Sequence, residues 1–317
     1  MWLSGTSDLI KKLKKRGVHK VALQFPEGLK RQAGVVFSDL KTAGFDVIIS
    51  GDPCYGACDL ALDTVAEGKA DVLVHFGHAP VDDRPEVIFE PWTVDFEVSV
   101  LAQALPLLHE KTVGLVTTVQ HAHLVPAMES FLASHGYDLR VADGAGRTPL
   151  RGQVLGCSFT TAKRTGAPEI LFVGTGVFHP IGIALATKAR VIALDPLTGT
   201  AQEVSADPLL RRRSAVMEKT RGAQHIGIIL STKSGQQRRA LAERLAALSP
   251  GAVIVTMREV TPDELLNLGF DCYVNTACPR LAYDDQVRFG RPVLSPQEFE
   301  ILCGVRNWDD YTIDEIV

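Results

Sequence analysis

Three of the six cysteines lie in loops rich in small residues, where a thiol group is a candidate metal ligand. They are Cys58, Cys157 and Cys278. Thiolate ligands favour zinc or an iron–sulfur cluster. Three thiolates without a fourth suit a cluster in which one iron keeps an open coordination site. Taken alone, the three cysteines leave metal binding, catalysis and plain burial as open interpretations.

The spacing of the cysteines argues against two other metal motifs. A structural zinc site usually contains close Cys-x₂₋₄-Cys pairs, and the pair Cys54 and Cys58 is followed by no matching pair. The Cys-x₃-Cys-x₂-Cys signature of radical S-adenosylmethionine enzymes fails because position 61 is Ala61. Cys272, in an apolar run, and Cys303, near the chain end, are predicted to be buried small hydrophobes.

The elements that must position these cysteines follow one four-strand pattern that occurs three times. Short runs rich in valine and isoleucine indicate parallel strands buried on both faces. The runs are residues 20–25, 45–50, 71–76 and 87–89, then 112–117, 137–141, 169–173 and 190–194, then 225–230, 252–256, 271–275 and 292–294. Between the first and second run of each third lies a helical stretch ending at Gly44, Gly136 or Gly251.

This pattern predicts an α/β fold of three related small parallel-sheet domains with right-handed crossovers. The predicted domains are residues 1–106 with Cys58, 107–215 with Cys157 and 216–317 with Cys278. Ligands of such sheets bind outside the carboxyl ends of the strands. Three domains around a pseudo-threefold axis would therefore direct three sets of loops at one site. Two basic stretches, residues 11–16 and 209–213, are interpreted as solvated helix surface.

Composition excludes several classes of protein. The 317 residues carry a net charge of −4, which argues against a general nucleic-acid-binding surface. No apolar run approaches the roughly 18 residues needed to span a bilayer. Sparse cysteines exclude a disulfide scaffold. We therefore expect a cytoplasmic protein that binds neither a membrane nor nucleic acid directly.

The residues around the three cysteines resemble the diphthamide-synthesis iron–sulfur family, the 2-(3-amino-3-carboxypropyl)histidine synthases, and specifically the archaeal homodimeric enzyme. The matching stretches are residues 24–29, 55–59, 73–78, 155–157 and 277–281, which span all three predicted domains. The resemblance implies a [4Fe–4S] cluster held by Cys58, Cys157 and Cys278, with no catalytic residue beyond the cluster. Cys54 has no counterpart in the family pattern.

The resemblance also implies a reaction. In the family, the open iron engages S-adenosylmethionine, and reduction breaks the bond from sulfur to the methionine γ-carbon. The resulting 3-amino-3-carboxypropyl radical adds to imidazole carbon C2 of one histidine on translation elongation factor 2, and methylthioadenosine is released. This is the first step of diphthamide biosynthesis. A homodimer is implied as well, and the electron donor is not identified.

Seven further residues are candidate contacts for S-adenosylmethionine, because they lie in matching stretches or in loops after predicted strands. They are Gln24, Gly77, His78, Thr175, His179, Gln236 and Arg280. Gln236 belongs to a tight loop, residues 232–237, whose position before a helix suits an anion, and we interpret this loop as a contact for the cofactor or for incoming protein. The Arg280 guanidinium can pair with the cofactor carboxylate, or with Asp284 or Asp285 as a structural bridge.

Two other functions stay open at the level of sequence. Quinolinate synthase is likewise built of three related α/β domains around a three-cysteine cluster, but it condenses small metabolites. A non-enzymatic iron–sulfur electron carrier is the other alternative, although such carriers are usually smaller. The motifs around Cys157 and Cys278 favour the diphthamide family.

Overall fold

The computed structural model describes residues 6–316, so residues 1–5 and 317, at the outer ends of the first and third predicted domains, lie outside the described part. The chain divides into two compact units, Met1–Val94 and Asp95–Val317. The first contains one parallel sheet and the second contains two sheets. Among the described residues, no helix has the length and apolar character required to cross a bilayer.

The first unit is built on a parallel sheet with strand order β2-β1-β3-β4. Its strands are β1 (Lys20–Gln24), β2 (Asp46–Ile49), β3 (Val72–Gly77) and β4 (Val87–Pro91). Its helices are α1 (Ser7–Lys15), α2 (Ala33–Thr42) and α3 (Leu62–Gly68). All residues of β3 are buried, as the apolar run predicts for a strand covered on both faces. In α1, Lys11 and Lys12 are exposed, as expected for residues 11–16, whereas Leu13 is buried.

The first sheet of the second unit has strand order β6-β5-β7-β8-β9. Its strands are β5 (Thr112–Thr117), β6 (Asp138–Arg140), β7 (Glu169–Val173), β8 (Arg190–Asp195) and β9 (Thr200–Glu203). Its helices are α4 (Val125–Ser134), α5 (Thr160–Thr165), α6 (Phe178–Thr187) and α7 (Asp207–Lys219). The edge strand β9 is antiparallel to β8 and was not predicted. Its residues are mostly exposed, so the sequence carries no buried-strand pattern there.

The second sheet of this unit has strand order β11-β10-β12-β13, and its pairs are parallel. Its strands are β10 (Ile226–Ser231), β11 (Val253–Met257), β12 (Cys272–Asn275) and β13 (Val293–Leu294). Its helices are α8 (Arg239–Ala246), α9 (Pro262–Leu268), α10 (Arg280–Tyr283) and α11 (Pro296–Leu302). Apart from the β8–β9 pair, the strand pairs of all three sheets are parallel, which confirms the predicted fold class. The predicted helix ends at Gly44, Gly136 and Gly251 have left-handed backbone conformations, with φ of 94°, 86° and 94°.

Helix α7 explains why the last two sheets belong to one unit. Leu209, near its start, packs in the core around β7 and β8, whereas Met217, near its end, packs in the core around β10 and β12. Residues 95–106 also belong to the second unit, because Phe96 and Leu101 pack in the core beneath β5. The three predicted domain ranges stay a prediction.

The interpretation of residues 209–213 as solvated helix surface is wrong for two of its residues. Leu209 is 4% exposed and Arg213 is 1% exposed. The Arg213 guanidinium lies 2.6 Å from the carboxylate of Glu298 on α11 and also donates to the carbonyl of Val293. A buried arginine of this kind is stabilised by a partner 85 positions away in the chain, so the local charge pattern gives no signal for it.

Candidate metal centre

Each candidate cysteine lies in a partly exposed loop that follows a strand of its own sheet. Cys58 lies between β2 and α3 of the first unit. In the second unit, Cys157 lies between β6 and α5, and Cys278 lies between β12 and α10. All three side chains are half-buried. A thiol that is neither sealed in a core nor fully exposed can bind a metal while neighbouring backbone shields it.

The other cysteines have different surroundings. Cys54 and Cys272 are 2% and 1% exposed. Burial raises the pKa of the Cys54 thiol to about 12, with a further contribution from the Asp59 carboxyl, and burial raises that of Cys272 to about 11. Both are protonated near neutral pH. The prediction that Cys272 is a buried small hydrophobe is confirmed, whereas Cys303, at the end of α11, is half-buried beside the core of its sheet.

A chain of hydrogen bonds crosses the carboxyl ends of β1 and β3 in the first unit. The Gln24 amide nitrogen donates to the carbonyl of Asp59 at 2.7 Å, and the Gln24 amide oxygen accepts from the backbone nitrogen of Ala61 at 3.2 Å. His75 Nδ1 lies 2.8 Å from this oxygen, and His75 Nε2 lies 2.9 Å from His78 Nδ1. Gln24 therefore contacts His78 through His75.

Burial sets the charge of this histidine pair. It lowers the pKa of His75 to about 3 and that of His78 to about 4, with the neighbouring imidazole adding to the effect on His75. Both rings are neutral at physiological pH. His75 was missed as a candidate, although a polar residue inside an otherwise apolar strand is a signal that sequence does contain.

Gly77 lies at the end of β3 with a left-handed φ of 92°. A Cβ there would lie 2.9 Å from Cγ of Pro26, closer than real Cβ contacts come. The glycine is therefore required by the approach of the β1–α2 loop to the end of β3. A direct contact of Gly77 with the cofactor stays a prediction.

The loop of Cys157 packs on the start of α6. A Cβ at Gly156 would lie 2.8 Å from the ring of Phe178, so only glycine lets this loop approach so closely. The His179 ring stacks on Phe172 with 5.9 Å between centroids. Burial, followed by the nearby charge of Arg280, lowers the pKa of His179 to about 4. His179 is therefore a neutral imidazole beside the Cys157 loop.

The loop of Cys278 is shaped by Asn275, the last residue of β12. The Asn275 side-chain amide donates to the carbonyl of Cys278 at 2.8 Å, and its oxygen accepts from the backbone nitrogen of Ala277 at 2.9 Å. Two residues beyond the cysteine, the Arg280 guanidinium lies 5.1 Å from the centre of the Phe178 ring. Phe178 thus contacts both the Cys157 loop and the residue that follows the Cys278 loop.

Residues 311–316, which we name the C-terminal strap, join the two cysteine loops of the second unit. The backbone nitrogen of Ile316 donates to the carbonyl of Cys157 at 2.8 Å. Asp314, 2% exposed, receives two hydrogen bonds from the Arg238 guanidinium at 2.9 and 2.6 Å. The same guanidinium donates to the carbonyls of Thr276 and Ala277, directly before Cys278. Arg238 and Asp314 were not predicted as site residues, because no local sequence pattern distinguishes them.

The remaining candidates lie in loops, or at the start of a helix, that follow strands of the second unit. Thr175 is exposed in the loop after β7. Gln236 is 5% exposed in the loop after β10, where Lys233 pairs with Glu259 at 2.7 Å. Arg280 pairs with Asp284 at 2.8 Å, one of the two structural bridges considered from the sequence.

Fold and site together define a class: α/β proteins built of three parallel sheets, with one partly exposed cysteine in a loop on each sheet. The model of the diphthamide synthesis protein family matches residues 25–313, and the chain belongs to this family.

Named relatives cover nearly the whole chain. The 2-(3-amino-3-carboxypropyl)histidine synthase of Pyrococcus horikoshii is 37% identical over 98% of this chain and 93% of its own length. The enzyme of the same name from Methanocaldococcus jannaschii is 26% identical over 94% of this chain and 87% of its own length. The crystal structure of Dph2 from Pyrococcus horikoshii with a 4Fe-4S cluster superposes with a TM-score of 0.93 at 34% identity, covering 98% of this chain and 93% of that one.

Proposed function

We propose that this protein transfers the 3-amino-3-carboxypropyl group of S-adenosylmethionine to a histidine of translation elongation factor 2, the first step of diphthamide biosynthesis. The observation that carries the proposal is the match to a named synthase over 98% of the chain. The three-sheet fold with a TM-score of 0.93 to a solved relative supports it. Neither the quinolinate synthase alternative nor the electron-carrier alternative has a comparable observation in its favour.

Cys58, Cys157 and Cys278 are the proposed ligands of a [4Fe–4S] cluster. The donor set fits, because all three thiols are half-buried and each follows a strand of a separate sheet. Three thiolates leave one iron of the cluster without a protein ligand. When bound, the cluster supplies the electron that breaks the bond from sulfur to the γ-carbon of S-adenosylmethionine.

The proposed cofactor contacts act through charge and hydrogen bonding. His78, directly after β3, and His179, in the first turn of α6, are neutral imidazoles, so each can donate or accept a hydrogen bond without adding charge. The Arg280 guanidinium, which is 54% exposed, suits the cofactor carboxylate. Thr175 and Gln236 offer polar side chains, Gly77 offers backbone groups at the end of β3, and Gln24 orients the histidine pair.

The proposed partners follow from the family. Translation elongation factor 2 is the protein substrate, and the protein works as a homodimer in the cytoplasm without binding a membrane or nucleic acid directly. A net charge of −4 is consistent with the absence of a nucleic-acid partner.

Anaerobic reconstitution tests the proposed function. Reduced protein mixed with S-adenosylmethionine should release methylthioadenosine, and the electron paramagnetic resonance signal of the cluster should change when the cofactor is added. Elongation factor 2 should gain a 3-amino-3-carboxypropyl group, detected by mass spectrometry. Formation of quinolinate from its precursors without methylthioadenosine would instead identify the quinolinate synthase reaction.

A further inference from the structure

Three side chains of the first unit bring possible metal-ligand atoms together apart from the three candidate cluster cysteines. The Cys54 sulfur and one ring nitrogen each of His75 and His78 lie within 4.8 Å of one another. Cys54 is 2% exposed and His75 is 0% exposed. A tetrahedral zinc ion with bonds of about 2.0–2.3 Å holds its ligands about 3.5 Å apart. Shifts of about 1 Å would bring these atoms to that spacing.

The hydrogen bonds to Gln24 determine which nitrogen of His75 faces the other two groups. The Gln24 oxygen accepts from the Ala61 backbone, while the Gln24 nitrogen donates to the Asp59 carbonyl. His75 Nδ1 must therefore donate its hydrogen to the Gln24 oxygen, and His75 Nε2 carries the lone pair. A histidine that ligates a metal typically donates its other N–H to an oxygen acceptor in this way.

His78 completes the arrangement. In the metal-free protein, His78 Nδ1 must donate to the lone pair of His75 Nε2, because that nitrogen carries no hydrogen. The hydrogen of His78 can move to Nε2, and both Nδ1 of His78 and Nε2 of His75 then present lone pairs to the same point. Neutral imidazoles are the form that binds a metal, and burial keeps both rings neutral.

We propose that Cys54, His75 and His78 form a second metal site, which binds a divalent cation of the zinc class. One thiolate and two imidazoles are a donor set that zinc and cobalt accept and that magnesium and calcium do not favour. Binding deprotonates the Cys54 thiol, so one proton is released for each ion bound. Because the His78 hydrogen moves to Nε2, an occupied site turns this nitrogen from an acceptor into a donor.

Cobalt titration tests this site, since tetrahedral Co²⁺ bound to a thiolate has a sulfur-to-metal charge-transfer band. The titrated protein is the full chain carrying Cys58→Ser, Cys157→Ser and Cys278→Ser, which removes the three candidate cluster ligands. We expect one Co²⁺ per chain with that band, and displacement of the cobalt by stoichiometric Zn²⁺. Absence of the band would overturn the proposal.

Variants in the same background assign the ligands. Cys54→Ala should abolish the charge-transfer band, whereas Cys272→Ala, at an equally buried cysteine, should keep it. If Cys54→Ala does not fold, His78→Gln decides, since it should weaken cobalt binding at least tenfold while leaving the far-ultraviolet circular dichroism unchanged. A band that persists in Cys54→Ala, or unweakened binding by His78→Gln, would overturn the assignment. None of these outcomes depends on release of methylthioadenosine, so this site and the proposed function fail separately.

Discussion

Access to solvent separates the three candidate cluster ligands from Cys54 and Cys272. A [4Fe–4S] cluster needs a partly open site, whereas the single ion proposed for Cys54 needs only the space between three side chains. Cys58, Cys157 and Cys278 are half-buried in loops, whereas burial raises the pKa of Cys54 to about 12. The two groups of cysteines should therefore respond differently to substitution.

We expect Cys58→Ser, Cys157→Ser and Cys278→Ser each to lose most of the iron bound after anaerobic reconstitution. Cys54→Ala, Cys272→Ala and Cys303→Ala should keep essentially all of it, because these thiols are not proposed cluster ligands. The measurement is iron per chain, with folding checked by circular dichroism. Complete iron loss from Cys54→Ala would mean that Cys54 ligates the cluster and Cys58 does not.

The half-buried, neutral imidazole of His179 should make the second unit less stable in acid. Its pKa of about 4 lies below the roughly 6.5 of an unfolded histidine, so between these values the unfolded chain binds a proton that the folded chain does not. The stabilisation is therefore fully present when the pH is above the pKa of histidine in the unfolded chain. It is lost as the pH falls toward the pKa of His179 in the folded chain. From about pH 7 to about pH 5 the loss amounts to about 2 kcal/mol.

Urea unfolding at these two pH values measures the effect. His179→Gln should lack this part of the acid destabilisation, while the same change at the exposed His135 serves as the control. An unchanged pH dependence in His179→Gln would show that the ring is not kept neutral by the fold.

The C-terminal strap acts at the scale of elements. It contacts the Cys157 loop through Ile316 and the Cys278 loop through the pairing of Asp314 with Arg238. A further contact comes from Glu315, which accepts from the backbone nitrogen of Phe159 at 2.8 Å and pairs with Lys163. Two loops more than a hundred residues apart are thus held by one short segment.

We expect Asp314→Asn to weaken the hold of the strap, because Arg238 loses its charged partner in a buried position. If Cys157 and Cys278 ligate one cluster, iron retention during gel filtration should fall several-fold, with little change in overall helix content. Asp309→Asn, at an exposed position shortly before the strap, is the matched control. Equal iron retention in both variants would show that the strap does not position the cysteines.

Arg213 ties helix α7 to α11 inside the second unit. Its guanidinium satisfies the buried carboxylate of Glu298, which also accepts a hydrogen bond from the hydroxyl of Tyr311 at 2.9 Å. Removing one member of such a pair leaves the other charge buried without compensation. Substitution of Arg213 should therefore destabilise the second unit, whereas substitution of the neighbouring, exposed Arg212 should not.

We expect Arg213→Met to lower the free energy of unfolding of the second unit by about 3–5 kcal/mol. Arg212→Met should change it by less than about 0.5 kcal/mol, as is usual for exposed positions. Denaturant titration followed by circular dichroism measures both variants. Similar midpoints for the two variants would contradict the importance of the buried pair.

At the scale of the whole molecule, the family leads us to expect a homodimer. Light scattering of active protein should give twice the mass of one chain, unchanged over a tenfold dilution in the micromolar range. A sample that transfers the 3-amino-3-carboxypropyl group while it scatters as a monomer would contradict the expectation.

Much of the architecture was predictable because its signals are local. Strands covered on both faces are short apolar runs, such as residues 169–173, and helices that end in left-handed backbone favour a glycine, as at Gly136. Strand β9 was not predicted, because an exposed edge strand contains no run of buried apolar residues. Of the candidate site, the cysteine loops could be predicted, because small residues surround each of the three cysteines in the sequence.

The sequence alone determined the three sheets, the class of protein and the cysteines that could bind metal. Each of these features depends on residues that are neighbours along the chain. Tertiary structure decided which polar groups are buried and what they contact. Three such pairs are separated by 85, 76 and 51 positions in the sequence: Arg213 with Glu298, Arg238 with Asp314, and His75 with Gln24. A buried charge or imidazole is stabilised only by the partner that folding brings to it, so no local sequence pattern predicts the pair.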